Sequence, residues 1–530
     1  MRNFLNIKNI LFNKTKKGSG LVMALVMVVV VSIILTSLLG YITSQISFSK
    51  DRVERERAFQ VAEAGIHYYK WYVAHQLSGK TADQIEDFWT SGSPLGVGTP
   101  YEAEFFDPED AAIGKYSLEV EVPEEGSTFF TVTSTGWTYK KPTAQRVLRV
   151  RFRRPSWSEY IFLSNSYLNF GTAAVVYGKI HSNYGILFNG TAYNMVSALP
   201  PRFNDPNTNI NQLEFGVYTG KSDGGSYPSG DPSAPSYPWP DGTVPVRADV
   251  FIGGREFPVS EVSFTGITTD LSFMKTKAQA GIGRYFDNSG LGRQITLKTD
   301  GTFDVCTVNA ANSSTHAISS SSGYLGVVTG ATGSYSGDNG SSCTTGSCCL
   351  ENDCPLIKNG NSARGKCVTK TNYPIVNKGV IFVEDNIWLE GSLNGKRVSV
   401  VSGNLSGGGD TTDIYIGISN NNIRLAAYDC NNMLGLVAQR DIRILDDGPN
   451  DFIIDAALLA QTGLVGITNG MSGDSITFNG AIASYLQPYF KQGTSGFEDR
   501  VYNFNNKLLY CPPPYFPTGT EYALDLWEEL

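Results

Sequence analysis

Eight cysteines carry the most explicit chemistry in this 530-residue chain: Cys306, Cys343, Cys348, Cys349, Cys354, Cys367, Cys430 and Cys511. Five of them fall in SSCTTGSCCLENDCPLIKNGNSARGKC. That stretch is too poor in apolar residues to hold itself together by burial, so cross-links would take the place of a core by restricting the unfolded loop. An even count points to disulfides wherever the surroundings are oxidising. Zinc is the competing chemistry. Four residues separate Cys343 from Cys348, and four separate Cys349 from Cys354, at the long end of zinc-ligand spacing, but no histidine lies closer than His316. Spacing alone leaves the connectivity open.

Other patterns imitate sites. GNSARGK at Gly360 to Lys366 has the spacing of a phosphate-binding loop, but Cys367 follows where Ser or Thr would be needed, and no strand and helix frame it. GKSDG at Gly220 to Gly224 has nucleophile-elbow spacing, yet Ser222 sits in a Gly, Ser and Pro loop without the strand-turn-helix context that activates a serine. Asp446, Asp447 and Asp451 cluster with Asn450 in DDGPND beside Arg443. They are weak calcium candidates through hard oxygen ligands, or could polarise an acidic sugar; a polar turn is the plainer reading. No catalytic residue and no cofactor is assigned. With four histidines in the chain, a histidine-based metal site or relay has few places to form.

Composition bounds the rest. The length exceeds a single usual domain several-fold, so several units are expected. Charged residues are only 17%, and 56 glycines favour strands and turns over charged helices. A formal net charge of -8 argues against a protein that coats nucleic acid by neutralising phosphates.

The amino terminus explains where most of the chain resides. Met1 to Gly20 holds Arg2, Lys8, Lys14, Lys16 and Lys17 and no acid, and Leu21 to Leu39 is then almost entirely apolar. A run of that length spans about 30 Å of hydrocarbon, with its basic flank cytoplasmic and the bulk of the chain exported. Next, Asp51 and Arg55, and Arg52 and Glu56, stand four apart as helix-surface ion pairs require. Phe59, Ala62, Ile66, Tyr69 and Val73 form a stripe at helical spacing. One helix of roughly 55 residues, apolar first and amphipathic later, is the economical reading.

The basic KKG at Lys16 to Gly18, the apolar helix after it, the charged patch and AFQVAEAG at Ala58 to Gly65 together resemble the amino-terminal region of type IV pilins, nearest the PilX-type minor pilins. The resemblance covers about the first 80 residues. It implies a prepilin peptidase cut between Gly18 and Ser19, and a freed helix that packs with other pilin subunits in a filament core. Major pilins mostly carry a glutamate near the start of the mature helix, where this chain has Met23. That departure favours an accessory or tip subunit.

Beyond the helix, GKYSLEVEV, STFFTVTSTGW and AQRVLRVRFRR read as a small antiparallel sheet. In its last strand Val147, Leu148 and Val150 alternate partly with Arg146, Arg149, Arg151 and Arg153, which would put one apolar face on the helix and one basic face in solvent, where a basic edge could meet acidic glycans. From Glu159 on, short strands alternate with turn residues and echo one another. VYGKIHS, LEGSLNG and FNGAIAS are one set, LGLVAQ and AALLAQ another, and Ala438, Ala460 and Ala483 recur 22 to 23 residues apart. A period near 22 suits a β-solenoid, whose coils bury their apolar rows by stacking, and a β-sandwich is the alternative. Pro200 to Pro245 reads as an excursion loop, Thr268 to Ala280 as a helix, and YCPPPYFP as extended polyproline II closing the far end.

The expected fold class is therefore α+β: a long N-terminal pilin-like helix with a small antiparallel β-meander, then a mainly-β region forming a β-solenoid with an inserted lobe. The expected units are a leader 1–18, a membrane or filament helix 19–78, a meander 79–154, a solenoid start 155–199, a loop-rich and Cys-rich insertion 200–377, a solenoid 378–509 and a closing segment 510–530. Expected partners are other pilin subunits, prepilin peptidase, membrane lipid and a surface glycan or protein ligand, with no nucleic acid. An anchored envelope protein or a polysaccharide-acting β-helix enzyme are the alternatives.

Overall fold

A computed structural model describes residues 19–124, 127–207, 213–264, 267–308, 335–336, 342–343, 371–406, 411–418, 420–468, 470–519 and 522–530. Helix α1 runs Ser19–Leu77, 59 residues. Its second half buries Ala58, Val61, Ala62, Ile66, Tyr69, Val73 and Leu77, a stripe at the three- and four-residue spacing of one helix face. This face lies on an antiparallel sheet of β1 (Tyr101–Phe106), β2 (Ala112–Glu121), β3 (Phe129–Thr138) and β4 (Lys141–Arg153). The alternation of β4 buries Leu148, Val150 and Phe152 against α1. Helix α2 (Ala82–Thr90) starts on a Thr81–Gln84 capping box and caps the same core with Ile85 and Trp89.

Helix and sheet touch backbone to backbone. A Cβ at Gly136 of β3 would lie 2.4 Å from both Ala58 O and Ala62 N, and one at Gly65 would lie 2.5 Å from Ser134 Oγ. Ser134 Oγ donates to Ala62 O at 2.8 Å in that gap. The small residues of AFQVAEAG are therefore the docking surface for β3.

A fifth strand, Ala523–Glu529, completes the sheet by pairing antiparallel with β4. The segment 510–530, expected to close the outer unit, instead ends by returning to the meander. The basic edge is accordingly not a bare solvated face. Arg151 Nε and Arg153 Nε donate to Asp525 at 2.7 and 3.1 Å. Arg146 pairs with Glu529, Arg153 also with Glu159, and Arg149 with Glu121 at 3.2 Å. Everything between β4 and this strand is thus an insertion into the sheet.

That insertion is built on parallel ladders. The first joins Gly283–Phe286, Gly379–Val383, Arg397–Ser402, Met433–Ala438, the later halves of Asp451–Ala460 and Ser472–Ser484, then Tyr160–Ser164, Lys179–Ser182, Val196–Ala198 and Arg255–Glu256. The chain therefore enters mid-stack at Tyr160, builds outward, and returns from the opposite end to finish beside its own beginning. A second ladder joins Arg293–Leu297, Ile387–Leu393, Ile414–Ile416, Ile442–Ile444 and Val465–Ile467. A third joins Ile423–Leu425, the early halves of Asp451–Ala460 and Ser472–Ser484, Ser495–Phe504, Val175–Tyr177 and Thr191–Ala192.

The echoes seen in sequence are register partners and corners. Ala438 faces Ala460, which faces Ser484. Ser182 and Ser484, the last residues of two echoes, turn their hydroxyls onto the corner carbonyls of Ser166 and Leu486. Gly391 of the third echo has φ +103° and would place a Cβ 2.2 Å from Leu297 O, a corner only glycine accommodates.

The first ladder is apolar on both sides. Leu436, Leu458 and Ile482 point inward, while Val437, Leu459 and Ala483 point outward, beneath helix α3 (Ile267–Gln279) and Trp157, Leu508 and Phe516. This explains runs such as LGLVA and AALLA, which do not alternate in polarity. The arm after Tyr510 lies along this outer surface. Ser399 Oγ donates to Pro514 O, Arg397 Nη2 to Pro512 O at 2.8 Å, and Cys511 is bonded to Cys430.

Gly136→Val is expected to cost more than about 3 kcal/mol, beyond ordinary overpacking, because the atoms it meets are backbone; a thermal melt matching the parent would rule out the close approach. Cys511→Ser is expected to lower stability by about 2–4 kcal/mol and to expose residues 512–530 to early proteolysis, read by melting and by mass mapping of timed digests.

Candidate functional site

The first half of α1 is the feature the fold leaves without a partner. No charged residue occurs between Ser19 and Ser49, and the side chains from Leu21, 78% exposed, to Leu39, 61% exposed, stand clear of the rest of the protein. It is the one described helix long and apolar enough to cross a membrane. From Leu21 to Leu39 it rises about 27 Å, close to a hydrocarbon thickness. Two of its hydroxyls bond back within the helix, Thr36 Oγ1 donating to Ser32 O at 2.8 Å and Thr43 Oγ1 to Leu39 O at 2.9 Å. They therefore carry little penalty in an apolar medium.

A charged collar marks the change of environment. Lys141 pairs with Asp51, Thr138 Oγ1 donates to Glu54 Oε2 at 2.7 Å, and Arg57 pairs with Glu54 at 3.1 Å. Asp51 takes Lys141 of β4 in place of the Arg55 expected from spacing. Above the collar every buried position of α1 faces the sheet.

A second feature lies where the antiparallel sheet meets the insertion. A cavity of about 210 Å3 is lined by Trp89 and Glu86 of α2, Arg154, Asp270 and Phe273 of α3, and Tyr522. Lys277 of α3 pairs with Glu86, and Lys378 with Glu124, so ion pairs bridge the junction. Loss of water pushes the Asp270 carboxyl up to about 6, although Arg154 favours its charged form.

Sequence-predicted residues fall as follows. Ser19 opens α1, while Gly18 lies outside the described residues, as does the whole of GNSARGK. Cys430 and Cys511 are bonded to each other, and Cys306 is disulfide-bonded too. The side chains of Cys343, Cys348, Cys349, Cys354 and Cys367 lie outside the described residues. Ser222 Oγ accepts the Gly224 N–H at 3.1 Å within a turn. The three aspartates have separate tasks: Asp446 accepts from Ser472 N at 3.1 Å, Asp451 accepts from Ser475 Oγ at 2.6 Å, and Asp447 is buried. Among the described residues no group of three His, Cys, Asp or Glu side chains could hold a metal ion.

For Asp270 the folded carboxyl binds its proton more tightly than the unfolded one, so its contribution falls as pH rises from about 4 to about 6. Asp270→Asn is expected to raise the melting temperature at pH 7.5 and to flatten the decline between pH 4 and pH 6, measured by melts across that range.

No protein-family model matches the chain, and no curated protein matches it in sequence. Among solved structures, the crystal structure of the competence-associated pilin ComZ from Thermus thermophilus is similar over 90% of this chain and 98% of its own, with 14% identity and a TM-score of 0.28.

Proposed function

We propose that this chain is a PilX-like minor pilin or pilus-associated surface protein. Prepilin peptidase cuts it between Gly18 and Ser19, and the freed helix joins other pilin subunits through its apolar half. Before assembly that half holds the protein in the inner or cytoplasmic membrane as a single span, with the bulk of the chain exported. The observation that carries this reading is the division of α1: bare and apolar below the Asp51–Lys141 collar, packed on an antiparallel sheet above it. A helix that only anchored the chain would not need to continue as the spine of the first folded unit.

The three parallel ladders support reading the insertion as a β-solenoid, in which each coil buries its inner row on its neighbours. Held between β4 and the last strand, it serves as a displayed surface for adhesion or filament assembly, with no chemistry of its own.

The amino-terminal residue of the mature protein, read by mass spectrometry in cells with and without prepilin peptidase, tests the proposal. Ser19 is expected when the peptidase is present and Met1 when it is absent. Met1 in both would leave a static anchor and transfer the outer unit to an envelope role.

A further inference from the structure

One outward row of the third ladder changes chemistry along its length. Asp455, Asn479 and Asn503 are register partners on successive rungs, and Tyr177 is the partner of Asn503 on the next. Tyr193 follows and stacks on Tyr177, with ring centroids 4.5 Å apart and planes 15° from parallel. At about 4.8 Å per rung the row extends about 19 Å. Asn503 Nδ2 donates to Asn479 Oδ1 at 2.9 Å, and Asn479 Nδ2 donates to Asp455 Oδ1 at 2.8 Å. Asp455 is fully buried and also accepts from Arg424 Nε at 3.0 Å and Tyr428 Oη at 2.9 Å. The carboxylate is thus neutralised beneath the surface, and what the row presents is amide and aromatic. A groove of about 400 Å3 lies on the amide end, walled by Tyr428, Asn479, Asn503, Asn506 and Lys507. Tyr177 and Tyr193 are each about half exposed at the other end.

We propose that this row binds a linear, uncharged oligosaccharide. Side-chain amides both donate and accept, as sugar hydroxyls do, and convergent polar groups of that kind fix orientation in a groove. The exposed tyrosine faces carry the negative face of an aromatic quadrupole, suited to the C–H faces of a pyranose ring. Among the described residues Lys507 is the sole cation lining the groove, too little for a polyanion such as nucleic acid, which is held by many phosphate contacts. The inference deepens the adhesion reading by naming its ligand class and residues, and saccharide binding is measured apart from processing at Gly18, so either can fail alone.

The full-length protein in detergent is titrated calorimetrically with cellohexaose, maltohexaose, chitohexaose and linear mannohexaose, with hexagalacturonate as the acidic comparison and a branched high-mannose glycoprotein as the protein-linked one. Binding of at least one neutral hexasaccharide is expected, weakened tenfold or more by Tyr177→Ala and by Tyr193→Ala, and unchanged by Tyr139→Ala on the distant meander. Circular dichroism melts matching the parent keep the tyrosine variants interpretable, and Asn503→Gln, which retains the amide but displaces it, should weaken binding as well. No response to any neutral hexasaccharide at millimolar concentration overturns the proposal. So does a response confined to hexagalacturonate or to the glycoprotein, or tyrosine variants that bind like the parent.

Discussion

The approach of β3 to α1 at Gly136 is the constraint from which the rest of the molecule hangs. A Cβ on Gly136 would lie 2.4 Å from the helix backbone, so only glycine lets the sheet dock this closely, and the alternation of β4 then fixes which of its residues are buried. β4 in turn supplies the edge on which Ala523–Glu529 pairs. The insertion begins and ends on these two neighbouring strands, with an antiparallel bridge between Ser156 and Thr518 at the crossing. Its placement is therefore tied to a contact made entirely within the unit of α1 and the antiparallel sheet.

The insertion solves a different problem. A parallel strand row that is apolar on both faces needs covering on both, and the ladder interior covers only one. Helix α3, Trp157 and the arm through Phe516 cover the other. The arm is held there by Pro512 and Pro514 carbonyls, which accept from Arg397 and Ser399, and by the Cys430–Cys511 bond. The segment is not the continuous polyproline II expected from its prolines, since it turns at Pro514 and Tyr515, where φ is +56° and Phe516 N donates to Pro513 O at 3.2 Å, but proline-rich backbone suits the role because it has carbonyls to offer and few N–H groups to satisfy. The same arm then crosses the junction and becomes a strand of the meander, so one segment closes the outer unit and ties it to the helix-bearing one.

Charge follows the same logic of local neutralisation. The arginines of β4, read in isolation, form a basic stripe, but Asp525, Glu529, Glu121 and Glu159 meet them. Asp455 likewise disappears beneath Arg424 and Tyr428. What remains along the Asn479, Asn503 and Tyr177 row of the third ladder is uncharged, amide and aromatic, a surface that no count of charged residues would have revealed.

Much of the helix and sheet was legible in the residues themselves, because their signals are local. Apolar runs and three-four spacing define α1, period-two alternation defines β2 to β4, and the recurrence of Ala438 and Ala460 reflects partners one rung apart. The terminal strand, the neutralised arginines and the Asn503–Tyr177 row were not legible. The strand pairings and the arginine contacts with Asp525 and Glu529 join residues hundreds of positions apart, and Tyr177 meets Asn503 only because the chain enters its own stack in the middle. Sequence by itself determined the elements and the bare apolar half of α1, since burial pattern and backbone preference act within a few residues. Tertiary structure decided which edges pair, which charges meet and which side chains share a face, since strand pairing is indifferent to distance along the chain.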